Sequence, residues 1–520
     1  MPAAFPLVRD VRALRERRFD VLVIGGGIYG AWIAYDAALR GLSVALIEKR
    51  DWAAGTSSRS SKLIHGGLRY LEHFEFRLVR HALAERRVLA RLAPHLVRPL
   101  DFVVPVWRDS RVGRLQLLAG LTLYDFLATG KQPVPRFKSL SRRRLLAAHP
   151  YLESDGLRGG LRYGDCQEDD ARMVLFVVAA AQSAGAVCAN NLEALELLER
   201  AGEVCGARVR DTETGARFAL HAACTVNAAG PWARELLRRA SNPLPRSKLI
   251  RGVHLVLPAI AGCSEAFTLI APQDGRAFFV VPWYGRSLVG TTERAVATPD
   301  ESPPTAEETR YLLHAVAARL PGLRWRAADV IASFAGVRAL QDEAAAELSA
   351  VSREFVLHEP RPRLLWPLGG KYTTARCDAV QVVDRILAAL GRAALPTRTD
   401  RQPLPGAPHE VAALGDFTGW QAEAVAGLQR RGVDPEAAHW LSLRHGTRVA
   451  RIHALLDENP RWAARLHPQA PILAAEVVLA AREEMARAPE DVLRRRTPLQ
   501  LLVPADGRLP ERIAELMSAA

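Results

Sequence analysis

Cysteine is scarce in this 520-residue chain: Cys166, Cys188, Cys205, Cys224, Cys263 and Cys377 make six. No two form a CxxC pair. That excludes a dense disulfide framework, leaves no metal centre to expect, and favours a reduced, cytosolic compartment. Long apolar runs are missing as well. No stretch reaches the ~20 apolar residues of a membrane-spanning helix. Residues 1–19 carry Arg9, Arg12, Arg15, Arg17 and Arg18 but no continuous apolar core of a signal peptide. Any membrane contact would be made from the surface. Lysine is rare among the 70 basic residues, so arginine has displaced it along the whole chain. No basic stripe is interleaved with aromatics, which argues against a nucleic-acid partner. Internal repeats are absent.

What is present is globular in character. Hydrophobic residues make up 49% and charged residues 24%, so wholesale disorder is excluded. The length exceeds one compact core and implies two or three domains. The net charge of +14 suits an anionic partner, either a phosphorylated metabolite or a membrane surface, though evenly spread arginines also suit a merely solvated surface.

Several segments declare their structure. Val21-Leu22-Val23-Ile24 is a short apolar run suited to a buried parallel strand, Ala31 to Arg40 reads as a helix stopped by Gly41, and Ser43 to Ile47 is the next strand. Leu78 to Leu92 reads as an amphipathic helix. Residues 112–129 form a helix apolar around much of its circumference. Ala207–Arg210 and Arg217–Leu220 read as a hairpin around Thr214-Gly215. Asp170 is read as the cap of the following helix. Residues 395–408 hold Pro396, Pro403, Pro405 and Pro408 and form the expected linker. It separates a region over 1–394 from an all-helical domain over 409–520. Leu7, Val8, Val11 and Leu14 with Arg9, Arg12 and Arg15 form a basic amphipathic N-terminus, suited either to anionic lipid or to packing on the protein itself.

The first chemistry-bearing motif is Gly25-x-Gly27-x-x-Gly30, which follows a strand and opens a helix, with Glu48 ending the second strand. Gly25 permits the tight turn, Gly27 lets the backbone approach a pyrophosphate, and Gly30 lets helix and strand pack closely. The helix N-terminus offers free N–H groups to phosphate, and Glu48 can accept from ribose hydroxyls. A dinucleotide site is expected, without a choice between FAD and NAD.

The stretch over 56–73, Thr-Ser-Ser-Arg-Ser-Ser-Lys-Leu-Ile-His-Gly-Gly-Leu-Arg-Tyr-Leu-Glu-His, resembles the signature of the FAD-dependent glycerol-3-phosphate dehydrogenases, the bacterial aerobic type among them. The resemblance continues through Phe76-Arg77-Leu78-Val79, Ala84-Glu85-Arg86, Asp165-Cys166, Asp169-Asp170-Ala171-Arg172, Asn227-Ala228-Ala229-Gly230-Pro231-Trp232, Gly290-Thr291-Thr292, Gly336-Val337-Arg338 and Gly369-Gly370-Lys371-Tyr372-Thr373-Thr374. It ends with Glu483-Glu484-Met485-Ala486 and Arg494-Arg495-Arg496-Thr497 in the C-terminal region.

The resemblance implies an α/β fold: a glutathione-reductase-type FAD-binding Rossmann domain, an antiparallel-sheet substrate cap and a C-terminal all-helical domain. It implies oxidation of sn-glycerol 3-phosphate to dihydroxyacetone phosphate, with hydride passing to flavin N5 and electrons to a membrane quinone. The apolar helix over 112–129 and the basic N-terminal segment favour a peripheral position on the inner face of the cell membrane; a homodimer is compatible with the resemblance. The family's FAD contacts carry over to Gly25, Gly27, Gly30, Glu48, Thr56, Ser57, Ser61, Lys62, Leu63, Ala229, Gly230, Trp232, Gly370 and Thr373. Its substrate positions carry over to His65, Arg69, Tyr70, His254, Arg338, Arg353 and Lys371. The residue types suit the chemistry. Arginine offers a planar donor fork to a phosphate dianion, so Arg69, Arg338 and Arg353 are the candidates for it. A histidine can take the alcohol proton near neutral pH, and either His65 or His254 can fill that role. Lys371 can steady the reduced ring or contact substrate.

The chain departs from the family pattern at Ala339, at Ala375-Arg376-Cys377-Asp378-Ala379, at Glu293 and at Val253. Those departures leave a related polyol phosphate or hydroxy acid open as substrate. An oxygen-using glycerol-phosphate oxidase shares the same flavin site and is a further reading. An amino-acid oxidase of the same superfamily is a third, against which the block Lys62 to Tyr70 argues.

Overall fold

The computed structural model describes residues 5–237, 246–300, 303–342, 354–408 and 414–520, without the side chains of Arg69, His73 and 414–416. Helix α1 (Val11–Glu16) precedes strand β1 (Arg18–Ile24), helix α2 (Ile28–Leu39) and strand β2 (Val44–Ile47), the expected βαβ unit. β1 lies between β2 and strand Arg217–Asn227, parallel to both, and Val187–Ala189 and Leu364–Gly369 extend the parallel core on either side. All four residues of β2 and the last four of β1 are buried, as strands covered on both faces require. The Thr214-Gly215 hairpin forms as read, pairing Glu203–Asp211 with Arg217–Asn227.

α2 is buried from Gly30 to Ala38. Gly30, Ala31, Ala34, Ala37 and Ala38 keep it slim, so helices Asp170–Ser183 and Ala375–Ala389 close over it. A second sheet of ten strands forms the cap. It is antiparallel apart from the pairing of Ala266-Phe267 with Phe102-Val103. One of its two longest pairings sets Ser247–Pro258 beside Ala332–Gln341, with Gly252 opposite Gly336.

Helix α3 (Phe76–Leu92) buries Leu78, Val79, Ala82, Leu83 and Leu89, and helix α4 (Arg114–Leu127) lies against it. α4 buries Leu117, Leu121 and Tyr124 but leaves Leu115 at 83% and Phe126 at 81% exposure. Phe74, 78% exposed, and Phe76 are exposed in the segment leading into α3. Among the described residues no helix is long and apolar enough to cross a membrane.

One open alternative is resolved and two expectations need correction. The N-terminal segment packs on the protein. Leu7 and Leu14 are buried, and Arg9 is held by Asp211 at 2.8 Å and by the Asn190 carbonyl at 2.9 Å. Burying Leu14 against Phe19 and Leu22 removes apolar surface that a bilayer would otherwise have had to cover. The helix cap is Asp169, whose carboxylate accepts from the Arg172 N–H, whereas Asp170 turns inward to Lys62 and Ser60. The C-terminal region also contains a short hairpin, Arg465–His467 with Ala470–Leu473, so it is not wholly helical.

The Pro-rich stretch over 395–408 is no free tether. The Leu404 N–H donates to Leu92, Thr397 donates to Asp36, and the Thr447 N–H donates to the Gly406 carbonyl. Residues 409–413 lie outside the described residues. The joint between the two regions is ionic and buried. Arg172 pairs with Glu484 at 2.6 Å across it, and Arg495 and Arg496 both grip Asp51 at 2.6 Å, while Arg448 with Glu483 and Glu484, and Arg444 with Glu476 at 2.7 Å, pair within the C-terminal region beside it. Buried charges persist only when paired and hydrogen-bonded in this way.

Candidate active site

The glycine turn is built for a close neighbour. Gly25 has φ +114°, and a Cβ there would stand 2.5 Å from the Ala228 carbonyl oxygen. A Cβ on Gly30 would stand 1.9 Å from the Gly25 oxygen, so only glycine lets α2 start so close to β1. Gly27 caps α2. Its missing Cβ would meet Ser57 Oγ at 3.1 Å, and that same oxygen accepts from the Ile28 N–H at 3.0 Å. The α2 N-terminus and a serine hydroxyl thus face one narrow space, the cradle a pyrophosphate needs. Glu48 closes the other side. Its carboxylate accepts from the Gly26 and Arg50 N–H groups at 2.7 and 2.9 Å, and burial pushes its pKa up.

A cavity of about 430 Å³ runs from this turn into the cap. Gly25, Gly27, Glu48, Thr56, Ser57, Ser61, Leu63, Ala229, Gly230, Trp232, Gly370 and Thr373 line it, joined by His65, Tyr70, Arg338 and Lys371 at the inner end. Sixteen sequence-predicted positions therefore meet around one space. Gly30 serves it from behind by packing. Arg353 and the Arg69 side chain lie outside the described residues.

Lys62 and His254 stand behind the wall. The Lys62 ammonium donates to Asp170 at 2.5 Å and to the Ser58 carbonyl at 2.9 Å, so it anchors the serine loop from beneath. His254 is buried, its Nε2 is 2.9 Å from Ser61 Oγ, and its ring stacks on Phe334 at 5.0 Å. Burial, with help from Arg338, Lys62 and Arg494, lowers its pKa to about 3 and keeps the ring neutral. Its contact with Ser61, which lines the cavity, connects it to that space.

At the inner end the turn 65–67 is pinned on two sides. The His65 N–H donates to Thr373 Oγ1 at 3.2 Å, and the Gly66 N–H donates to the Tyr124 hydroxyl at 2.9 Å. Lys371 Nζ lies 3.5 Å from the centre of the Tyr70 ring. Arg338 reaches over Gly252, where a Cβ would come within 3.4 Å of Nη2, and its Nη1 is 3.7 Å from the buried Glu293 carboxylate. A histidine, an ammonium and a guanidinium can together hold a phosphorylated alcohol and take its proton.

The departures at 375–379 have structural partners. Arg376 pairs with Glu85 at 2.8 Å, and Asp378 accepts from Tyr29 at 2.6 Å and Thr374 at 2.8 Å. Sequence reasoning missed Tyr29 and Arg59, both of which line the cavity. Tyr29 lies inside the glycine motif, at one of its unspecified positions. Arg59 lies inside the serine stretch, where an arginine in so arginine-rich a chain gives no signal of its own.

Comparison with known proteins agrees with this geometry. The FAD dependent oxidoreductase family matches residues 20–393, and the C-terminal domain of alpha-glycerophosphate oxidase matches residues 397–520. The glycerol-3-phosphate dehydrogenase of Synechocystis is 35% identical over 515 residues, covering 95% of this chain and 91% of that protein. The aerobic glycerol-3-phosphate dehydrogenase of Staphylococcus haemolyticus is 32% identical, covering 93% and 87%. The structure of glycerol-3-phosphate dehydrogenase from Bacillus halodurans complexed with FAD superposes with a TM-score of 0.79 at 26% identity, covering all of this chain and 94% of that one. The L-alpha-glycerophosphate oxidase of Mycoplasma pneumoniae, at 20% identity and a TM-score of 0.57 over 73% of this chain and 99% of that one, shares the fold. With a cradle shaped for its cofactor, the chain belongs to the FAD-dependent glycerol-3-phosphate dehydrogenase family.

Proposed function

We propose that the protein oxidises sn-glycerol 3-phosphate to dihydroxyacetone phosphate and hands the electrons to a membrane quinone. The observation that carries the substrate reading is the meeting of His65, Tyr70, Lys371 and Arg338 at the inner end of the cavity. Arg338 and Lys371 would hold the phosphate, with Arg69 and Arg353 as further candidates, and His65 would take the hydroxyl proton. Bound flavin supplies the hydride acceptor. On this reading the oxidoreductase region spans 1–394, the connector 395–408 and the C-terminal domain 409–520. Anaerobic mixing with sn-glycerol 3-phosphate should bleach the flavin absorbance, whereas glycine and glycerol should not; bleaching by glycine would favour the amino-acid oxidase reading.

The acceptor reading rests on α4. Leu115, Leu118 and Phe126 project from it, with Phe74 and Phe76 exposed nearby, and exposed Arg77, Arg80, Arg111 and Arg114 flank them in sequence. Apolar side chains ringed by arginine suit the headgroup region of an anionic, inner-face membrane. The protein should sediment with anionic liposomes and detach as salt rises. Leu115→Gln with Phe126→Gln should weaken sedimentation and quinone turnover while leaving anaerobic flavin reduction unchanged. No liposome binding, together with rapid peroxide formation in air, would identify an oxygen-using oxidase instead.

A further inference from the structure

The C-terminal motif Arg494-Arg495-Arg496 plays no part in that scheme, yet it reaches the active-site loop. It lies on a widened helical turn, Val492–Arg496, of the π type often found at functional sites. The turn fans the three guanidiniums apart. Arg495 and Arg496 converge on Asp51, at the start of the segment that carries Thr56, Ser57 and Ser61. Arg494 takes a different path. Its Nη2 donates to the Ser58 carbonyl at 3.0 Å, and its guanidinium carbon lies 4.8 Å from the centre of the Phe334 ring. Phe334 is the ring on which His254 stacks, with an interplanar angle of 12°. Lys62 Nζ also lies 5.4 Å from that ring.

We propose that Arg494, supplied by the C-terminal domain, is a positioning residue that holds Phe334 and the Ser58 carbonyl, and through them the Ser61–His254 pair at the cavity wall. The inference rests on the substrate reading above. A guanidinium stacks on an aromatic face and donates in its own plane at once, which an ammonium does less well. Arg494 therefore fixes two partners of the serine loop with one side chain. Ser61 lines the cavity and His254 does not, and the Ser61 hydroxyl is 2.9 Å from Nε2, so its orientation depends on the plane of the buried imidazole. The charged neighbours of His254 are Arg338 on the cap strand, Lys62 in the serine loop and Arg494. Of these, Arg494 alone comes from the C-terminal domain.

The test is a double-mutant cycle in the full-length FAD-loaded enzyme, with flavin reduction by sn-glycerol 3-phosphate followed anaerobically. Arg494→Met should slow reduction roughly ten-fold, within the range of couplings between neighbouring residues, without changing the substrate concentration for half-maximal rate. In a His254→Gln background the same change should cost less than two-fold, and Arg494→Lys should restore part of the rate. Equal slowing in both backgrounds would overturn the proposal, since a merely structural arginine acts regardless of His254. Should Arg494→Met fail to fold, Phe334→Leu tests the same coupling from the cap side. A crystal structure of Arg494→Met gives a readout that needs no substrate. The proposal predicts a Ser61–His254 separation beyond hydrogen-bond range there, and a separation unchanged from 2.9 Å would contradict it. Failure of the wild type to bleach would refute the substrate reading and leave the crystallographic outcome for Arg494 unaffected.

Discussion

The hydroxyl of Tyr124 stands 2.9 Å from the backbone nitrogen of Gly66 and 2.9 Å from both carboxylate oxygens of Asp165. It accepts from the glycine and donates to the aspartate, which also accepts from Arg86 at 2.6 Å and from the Gly66 N–H at 3.4 Å. Tyr124 belongs to α4, so the helix with the exposed apolar side chains also braces the turn that carries His65. Tyr124→Phe leaves a buried N–H poorly satisfied, at a cost of about 1–3 kcal/mol. Flavin reduction should slow while FAD content is kept; unchanged kinetics would show that Asp165 braces the turn unaided.

Flavin retention depends on the glycine turn. The Gly27 Cβ position already lies 3.1 Å from Ser57 Oγ, so Gly27→Val has no room for its methyl groups except the space kept for pyrophosphate. The purified variant should be colourless or misfolded, whereas the wild type should release FAD on denaturation. Full flavin occupancy in the variant would refute the site assignment.

Arg338→Ala should lower kcat/KM for sn-glycerol 3-phosphate by about 2–4 kcal/mol, the loss expected when one partner of a buried charge pair is removed. Glu293 sits 3.7 Å from this guanidinium, so the variant also removes a positive charge from beside a buried carboxylate. Glycerol should be a poor substrate of the wild type. Equal turnover of glycerol and its phosphate would remove the role given to Arg338.

His65→Gln should keep FAD and slow its reduction by about 10²–10⁴-fold, the usual worth of general acid–base catalysis. His254→Gln should cost less, because that ring reaches the cavity through Ser61. A wild-type rate in the first variant and a large loss in the second would transfer the role of base to His254.

The domain joint makes stability depend on acid. Burial alone would raise the Glu484 and Glu476 carboxyls, but Arg172 and Arg448 beside the first, and Arg444 and His445 beside the second, outweigh it. Both are lowered, Glu476 to about 2. A depressed folded-state pKa contributes stability that is present above the unfolded value, about 4.3 for glutamate, and is lost as pH falls through the folded one. The unfolding midpoint should therefore fall steeply between about pH 4 and pH 2. Glu484→Gln at neutral pH should cost about 3–5 kcal/mol, because Arg172 is left buried with a neutral partner. A variant as stable as the wild type would show that the pairs of Asp51 with Arg495 and Arg496 carry the joint without Glu484.

The sequence by itself determined the flavin cradle, because its physics is local. A strand, three glycines, a helix start and an acid lie within 31 residues, from Asp20 to Arg50, and the structure assembles them as read. The family motifs likewise placed His65, Tyr70, Arg338 and Lys371 together. What tertiary structure decided is which side of each wall a residue occupies. His254 and Lys62 carry motif positions yet stand behind the cavity, because Phe334 and Asp170, 80 and 108 residues away, draw them inward. Asp169 and Asp170 are adjacent carboxylates with equal claims to cap a helix, and only the ammonium of Lys62 separates their roles. The N-terminal amphipathic segment had a bilayer and its own protein as alternative apolar partners. Asp211 and the core around Phe19 settle it for the protein, through contacts no local pattern encodes.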